Sequence, residues 1–404
     1  MAKWNFLAAA LLFSSGTVMA DINTQVYGYI EGYVEKVEKS PSRSGGTSTT
    51  AGASERSNNP YEFDTPHIHV MAKSTSSKGY SAFLNLNASD GTTRVANAWF
   101  EGQIKGELLK FRIGKLYRPF GLYNERLDAA PTYIGIEAPE LFDGDHLLLT
   151  RTTNFMIHGE TYLGSGLFRY SLTTGNDEKM DNDVPVGGDV RYTSYGDTGE
   201  WTYGTSFYFS GKSGPTSGVG EGSPDGGVIN WMDSDRFKVF GLYTEYRTDK
   251  WTLQTAFYQA DHKGKRNGSK LQQIGTDSLN QRQINMLCNG DMSTCADSIA
   301  DYSVKTWYVR IGRAFATGLG EFTPYVQWDF YENPETIASK SDGGDNEAGL
   351  ADDGKFNKQT LGVVYRPDPS IAIKLDASNH SQKVDGENLN YAEIRASFSY
   401  IWSL

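Results

Sequence analysis

Long apolar runs are missing: past its first twenty residues the chain has no uninterrupted stretch of about 18 apolar residues, which excludes helical membrane spans. Cysteine is nearly missing too, with two in 404 residues, so no disulfide framework organises the fold. Positive charge is short: 38 Lys and Arg stand against 49 Asp and Glu, a formal net charge of −11. Such a chain lacks the basic footprint that nucleic acid requires. Catalytic signatures are absent as well. No G-x-S-x-G occurs, and the GKS at 211–213 lacks the glycine five residues upstream that a phosphate loop needs. Of six His, only His67 and His69 lie close together, and two ligands are too few for a metal centre. No covalent chemistry is expected and no resident cofactor.

Aromatic residues are plentiful. The 24 Tyr, 20 Phe and 8 Trp supply enough surface for a stable assembly and exclude a disordered chain. Residues 1–20, MAKWNFLAAALLFSSGTVMA, combine Lys3, an apolar stretch from Phe6 to Phe13 and a small-residue end with Val18 and Ala20, the pattern of an export signal. Residues 21–404 then form one domain. Cys288 and Cys295, in the polar segment CNGDMSTC, are expected to bond as a local loop staple, since an exported protein can keep a disulfide.

From Asp21 onward the dominant period is two. In the last segment Ala392, Ile394, Ala396, Phe398, Tyr400, Trp402 and Leu404 share one face, and Glu393, Arg395, Ser397 and Ser399 the other. The alternation predicts sixteen strands, near 23–38, 63–75, 79–88, 94–105, 108–117, 151–163, 166–175, 187–195, 200–210, 235–247, 251–262, 301–316, 320–332, 354–366, 370–383 and 389–403. Seven connections are turn-like, and they alternate strictly with eight others. Several of the latter are long and polar, notably 39–62, 118–150, 211–234, 263–300 and 333–353. Short turns on one rim and long loops on the other mark an outer-membrane barrel.

A soluble sandwich would have to bury one face of every strand in a dry core. Here the polar faces carry charge: Phe111 and Ile113 oppose Lys110 and Arg112, and Trp307, Val309 and Ile311 oppose Tyr308 and Arg310. Lipid takes the first set and water the second. In hydrocarbon every backbone polar group must be paired, so the sheet has to close. The expectation is an all-β fold, a 16-stranded antiparallel transmembrane β-barrel whose lumen is wide enough for an aqueous channel.

Residues 94–143, RVANAWFEGQIKGELLKFRIGKLYRPFGLYNERLDAAPTYIGIEAPELFD, resemble the phosphate-selective porin O and P family of Gram-negative outer-membrane porins. The shared features are an alternating strand, a tight turn, a strand ending in a Gly-Lys step, a Pro-Phe-Gly turn and a long inward loop. The resemblance implies that Arg118 to about Thr150 is the third loop, folded into the lumen, and that the protein is a homotrimer. The apolar content of that stretch, Phe120, Leu122, Tyr123 and Tyr133 among others, independently calls for a wall to pack against. The closing strand with Phe398, Tyr400 and Trp402 resembles the segment that barrel-assembly machinery reads, with Leu404 where Phe is usual.

The charges depart from an anion-selective pattern. Between 118 and 150 the only basic residues are Arg118 and Arg126, against Glu125, Asp128, Glu137, Glu140, Asp143 and Asp145. Wall cations Lys110, Arg112, Arg310, Lys358, Lys374 and Arg395 are candidates to face this acidic loop and create a transverse field across the constriction. The sequence thus points to passive diffusion of small hydrophilic solutes and ions, with a phosphate- or anion-selective pore, or a surface receptor or adhesin barrel, as alternatives. The acidic loop 333–353 offers Glu335, Asp342, Asp345, Glu347, Asp352 and Asp353 as candidate Ca2+ contacts toward lipopolysaccharide.

Overall fold

The computed structural model describes residues 22–38, 40–41, 56–57, 61–63, 66–89, 91–140, 152–175, 184–210, 231–274, 281–336, 346–384 and 386–404. The export signal expected at 1–20, Asp143, Asp145, Asp342 and Asp345 lie outside these residues.

Among the described residues sixteen long strands form the wall: β1 Ile22–Glu38, β2 His67–Ser76, β3 Ser81–Ser89, β4 Thr92–Lys105, β5 Leu109–Tyr117, β6 Thr152–Leu163, β7 Gly166–Thr174 and β8 Val186–Gly196, followed by β9 Gly199–Phe209, β10 Met232–Arg247, β11 Trp251–Arg266, β12 Ser298–Arg313, β13 Gly320–Glu332, β14 Lys355–Arg366, β15 Ile371–Val384 and β16 Glu387–Ser403. Each pairs antiparallel with its sequence neighbours, and β16 returns to β1 in a register running from Tyr27 opposite Ser403 to Glu38 opposite Ala392. The sheet is a closed sixteen-stranded antiparallel barrel with no free edge.

Alternation sorts side chains as lipid and water require. On β14 and β15, Leu361 is 64% exposed and Leu375 and Ile373 also point outward, while Lys358 and Lys374 between them are buried on the inside. On β16, Ile394, Phe398 and Tyr400 face out, and Glu393, Ser397 and Ser399 face in. At the short-turn rim, tyrosines reach across to the carbonyls of neighbouring turns: Tyr170 donates to Leu108 O (2.6 Å), Tyr192 to Leu163 O (3.0 Å), Tyr246 to Thr198 O (2.6 Å) and Tyr365 to Leu319 O (2.7 Å). An aromatic ring on an apolar band with its hydroxyl turned to polar backbone suits an interfacial girdle.

Strand bounds follow the predicted ones to within a few residues except around the largest loop. There β11 runs on to Arg266 and β12 begins at Ser298, and the connection holds helices α1 (Gly268–Ile274) and α2 (Gln281–Cys288). Periodicity missed them because each is about two turns long. Cys288 and Cys295 are joined in a disulfide. Leu271, Ile284 and Leu287 pack with Trp231, Phe237 and Ala300 against the upper inner wall. The Gly268 backbone N–H, together with Lys265, holds the Asp297 carboxyl below the usual range. A third helix, α3 (Asn346–Leu350), lies in the loop before β14.

The orientation is testable at Leu361. Placing a cation there puts charge in hydrocarbon, so Leu361→Arg should destabilise the barrel by about 2–4 kcal/mol if it lies near mid-membrane, and Leu361→Ala far less. Guanidinium unfolding in lipid vesicles measures it; equal stability of the two variants would reverse the inside-out assignment.

Candidate functional site

A segment that leaves a strand and enters the lumen gives up its sheet partners, so its backbone must find others. Residues 118–140 follow β5 and do this with side chains of the wall and with tight turns of their own between Tyr123 and Thr132. Their entry is a wedge: Phe120, Leu122 and Tyr123 are buried against Tyr208, Tyr258 and Tyr308, with Phe120 and Tyr258 ring centroids 4.9 Å apart. Burying each such side chain contributes roughly 1.5–3 kcal/mol. The Gly121 N–H donates to Ser206 Oγ at 2.9 Å, and Asn124 Nδ2 donates to Arg118 O at 2.7 Å, closing the turn. The Tyr123 hydroxyl donates to Gln254 at 2.6 Å and accepts from Arg310 at 2.5 Å. Burial pushes its phenol up, so it stays neutral.

The second half is clamped. Arg310 donates to Ile134 O (2.5 Å) and Glu137 O (3.0 Å), and Lys374 Nζ to Ala130 O (2.6 Å) and Gly135 O (2.7 Å). Arg366 donates to Pro131 O at 2.7 Å. The acids of the wall take the amides: Ile136 N–H donates to Asp376 at 2.9 Å and Glu140 N–H to Asp329 at 3.1 Å. Hydrogen bonds to charged groups contribute about 1.5–3 kcal/mol each. Gly135 has φ +95°, and a Cβ there would come within 3.1 Å of the Arg310 guanidinium, so glycine keeps the bend open to its clamp.

Side-chain charges complete the seam. Lys358 bridges Glu137 (2.9 Å) and Glu140 (2.6 Å) and lies 3.5 Å from Glu393. Arg395 contacts Glu137, Glu393 (2.5 Å) and Glu35 (3.0 Å). A void of about 10 Å³ beside Glu137, Arg310, Lys358 and Arg395 is at the lower limit for one water.

The predicted site residues therefore separate. Glu137, Glu140, Lys358 and Arg395 meet in one ion-paired seam. Arg310 and Lys374 are buried and grip backbone. Arg118 is buried with its guanidinium 4.5 Å from the Tyr208 ring centroid, and Asp128 accepts from Asn85 (2.8 Å) and from Tyr117. Arg126 lies 3.6 Å from Glu245. Across the lumen, Lys110 pairs with Glu107, and Arg112 with Glu101 (2.6 Å) while lying over Trp99. Glu125 pairs with Arg191 at 3.2 Å.

Near Lys110, Arg112 and Glu125 a cleft of about 210 Å³ remains on the inner wall of β4–β8. Its other charges were not singled out from the sequence: Glu101 with His158 (3.0 Å), Glu160 with Arg169 (2.9 Å) and Asp189 with Arg191 (2.7 Å). All lie on the wet faces of their strands, so alternation marked them. What brings them together is register, Arg169 standing opposite both Glu160 and Arg191.

At the long-loop rim the acidic residues are engaged: Glu335 with Arg266 (2.9 Å), and Glu347 with Tyr391 (2.7 Å) and 3.7 Å from His380. Among the described residues no three His, Cys, Asp or Glu converge as metal ligands would.

No family model matches the chain, nor does any curated protein. Solved structures do. The anion-selective porin from Comamonas acidovorans aligns over 95% of this chain and 100% of its own at 11% identity, with TM-score 0.56. The outer membrane channel DcaP of Acinetobacter baumannii covers 96% and 99% at 10% identity and TM-score 0.54. The in-vitro folded trimer form of OmpT, an outer membrane protein of Vibrio cholerae, covers 95% and 100% at 10% identity and TM-score 0.50. At such identities the likeness is one of fold: this chain has the barrel of the outer-membrane porins.

Proposed function

We propose that the protein is an outer-membrane porin of a Gram-negative bacterium, passing small hydrophilic solutes and ions by passive diffusion through a water-filled lumen. The observation that carries this is the seating of the inward segment: residues 130–140 are bound along the β12–β16 wall, and a charged cleft remains on the β4–β8 side. An adhesin or enzyme barrel has no need of a lumen held partly open. Residues 1–20 act as the export signal, 21–404 form the barrel, and lipid with lipopolysaccharide surrounds it after insertion by the barrel-assembly machinery. We extend the trimer form of the Vibrio cholerae protein to this chain as a homotrimer. No cofactor or covalent step is required.

Ion preference in this reading is weakly cationic, and constriction residues contribute unequally. Glu140 is compensated by Lys358 and nearly buried, while Glu125, on the cleft side, is half-exposed. Selectivity for anions belongs to the Comamonas protein by its description, and the cations that would confer it here are mostly spent on carbonyls and carboxylates.

Purified protein in a planar bilayer should give stepwise conductance; a silent bilayer would favour the receptor reading. In a KCl gradient Glu125→Gln should move the reversal potential toward anions, and Glu140→Gln should move it less; the opposite order would place the constriction elsewhere. Lys374→Met removes both donors to Ala130 O and Gly135 O, a loss of about 3–6 kcal/mol on the clamped loop at most. The expected result is noisier, larger single-channel current and faster proteolysis between 118 and 140, with the barrel intact by gel mobility.

A further inference from the structure

The cleft on β4–β8 is more than residual space, because its charges are sorted by depth. The side chains of Glu107, Glu125 and Glu160 are between 38% and 59% exposed, whereas those of Lys110, Arg112 and Arg191, their partners or near neighbours, are at most 20% exposed. Arg169, at 48%, is the one cation of the cleft that reaches water to a similar degree. The deep cations offset the equally deep Glu101 and Asp189, so the face presented to a passing solute is carboxylate-rich.

Ser171 adds an independent observation. Its side chain borders the cleft, its residue is 7% exposed, and its Oγ has no hydrogen-bond partner. It stands on β7 opposite His158 on one side and Asp189 on the other. A buried hydroxyl without a partner is destabilising, a penalty that a ligand N–H would relieve.

We propose that this cleft is a binding station for small organic cations, solutes bearing a primary ammonium or guanidinium group, on their way through the lumen. The cationic head is held by the open faces of Glu107, Glu125 and Glu160, and Ser171 Oγ accepts one of its N–H bonds. The inference rests on the channel reading and deepens it from ion preference to solute class.

The test is current block. In symmetrical KCl, putrescine should reduce single-channel current saturably, and succinate, its dianionic counterpart in size, should not. Replacing Glu107, Glu125 and Glu160 together by Gln should raise the half-blocking putrescine concentration about tenfold or more, and Ser171→Ala, which leaves every ion pair in place, about threefold. Block by succinate in preference to putrescine, an unchanged half-blocking concentration in both variants, or a conducting pore that putrescine never blocks would overturn the station while leaving the channel standing. If no conductance is seen at all, the channel reading fails; calorimetric titration of putrescine into the detergent-solubilised barrel then decides the station alone, binding weakened by Ser171→Ala supporting it and absence of binding overturning it.

Discussion

A backbone inside a barrel cannot join the sheet that surrounds it. Apart from tight turns of its own, such as Arg126 N–H to Tyr123 O and Ala129 N–H to Arg126 O, the backbone of residues 118–140 must be satisfied by side chains or by water, and much of the inner wall is built to do so. Arg310, Arg366 and Lys374 supply donors to five carbonyls, and Asp329 and Asp376 accept two amides. Long cations are needed because a carbonyl has to be reached from a strand several ångströms away, and short carboxylates suffice where the loop lies against the wall. Because these residues are fixed to β12, β13, β14 and β15, the second half of the loop, residues 130–140, lies on that side. The cleft on β4–β8 is the consequence.

Much of this was legible from the sequence, and the strands most of all. Ile371–Val384 was readable because Ile373, Leu375 and Ala377 alternate with Lys374, Asp376 and Ser378, a pattern that only a wall between lipid and water satisfies. The same alternation placed Lys358, Lys374, Arg310 and Arg395 on the inside. It could not say how far each side chain reaches or what it meets there. Arg310 and Arg395 look alike along the chain, yet one grips carbonyls and the other an ion-paired seam, because the loop passes β12 with its backbone and β16 with Glu137. Arg118 illustrates the same limit. It follows the strand as a basic residue at the loop's root, and only the fold of Pro119–Gly121 turns it under Tyr208.

The cleft was hidden for a different reason. Glu101, His158, Arg169 and Arg191 come from four strands spread over some ninety residues, and each looks like an ordinary lumen charge. They become a unit only through cross-strand register, which depends on bulges such as those after Gln103 and Ile113 that no alternation reveals. The short helices of the 267–297 connection were invisible in a similar way, being held by the disulfide and by burial of Leu271 and Leu287 rather than by intrinsic propensity.

Pairing nearly all its charges changes what such a lumen can do with them. An unpaired guanidinium projecting into water acts on a solute at a distance, damped only by a Debye length of about 8 Å at physiological ionic strength. A guanidinium with a carboxylate 3 Å away is a dipole, whose field falls off within the width of the pore. Selectivity then stops depending on the number of charges of each sign and comes to depend on which partner of each pair lies nearer the axis. In this barrel the two measures diverge: the wall cations that the sequence sets opposite the acidic loop lie behind carboxylates or beneath the loop, and Glu107, Glu125 and Glu160 are the more exposed partners. Discrimination built this way acts at contact distance.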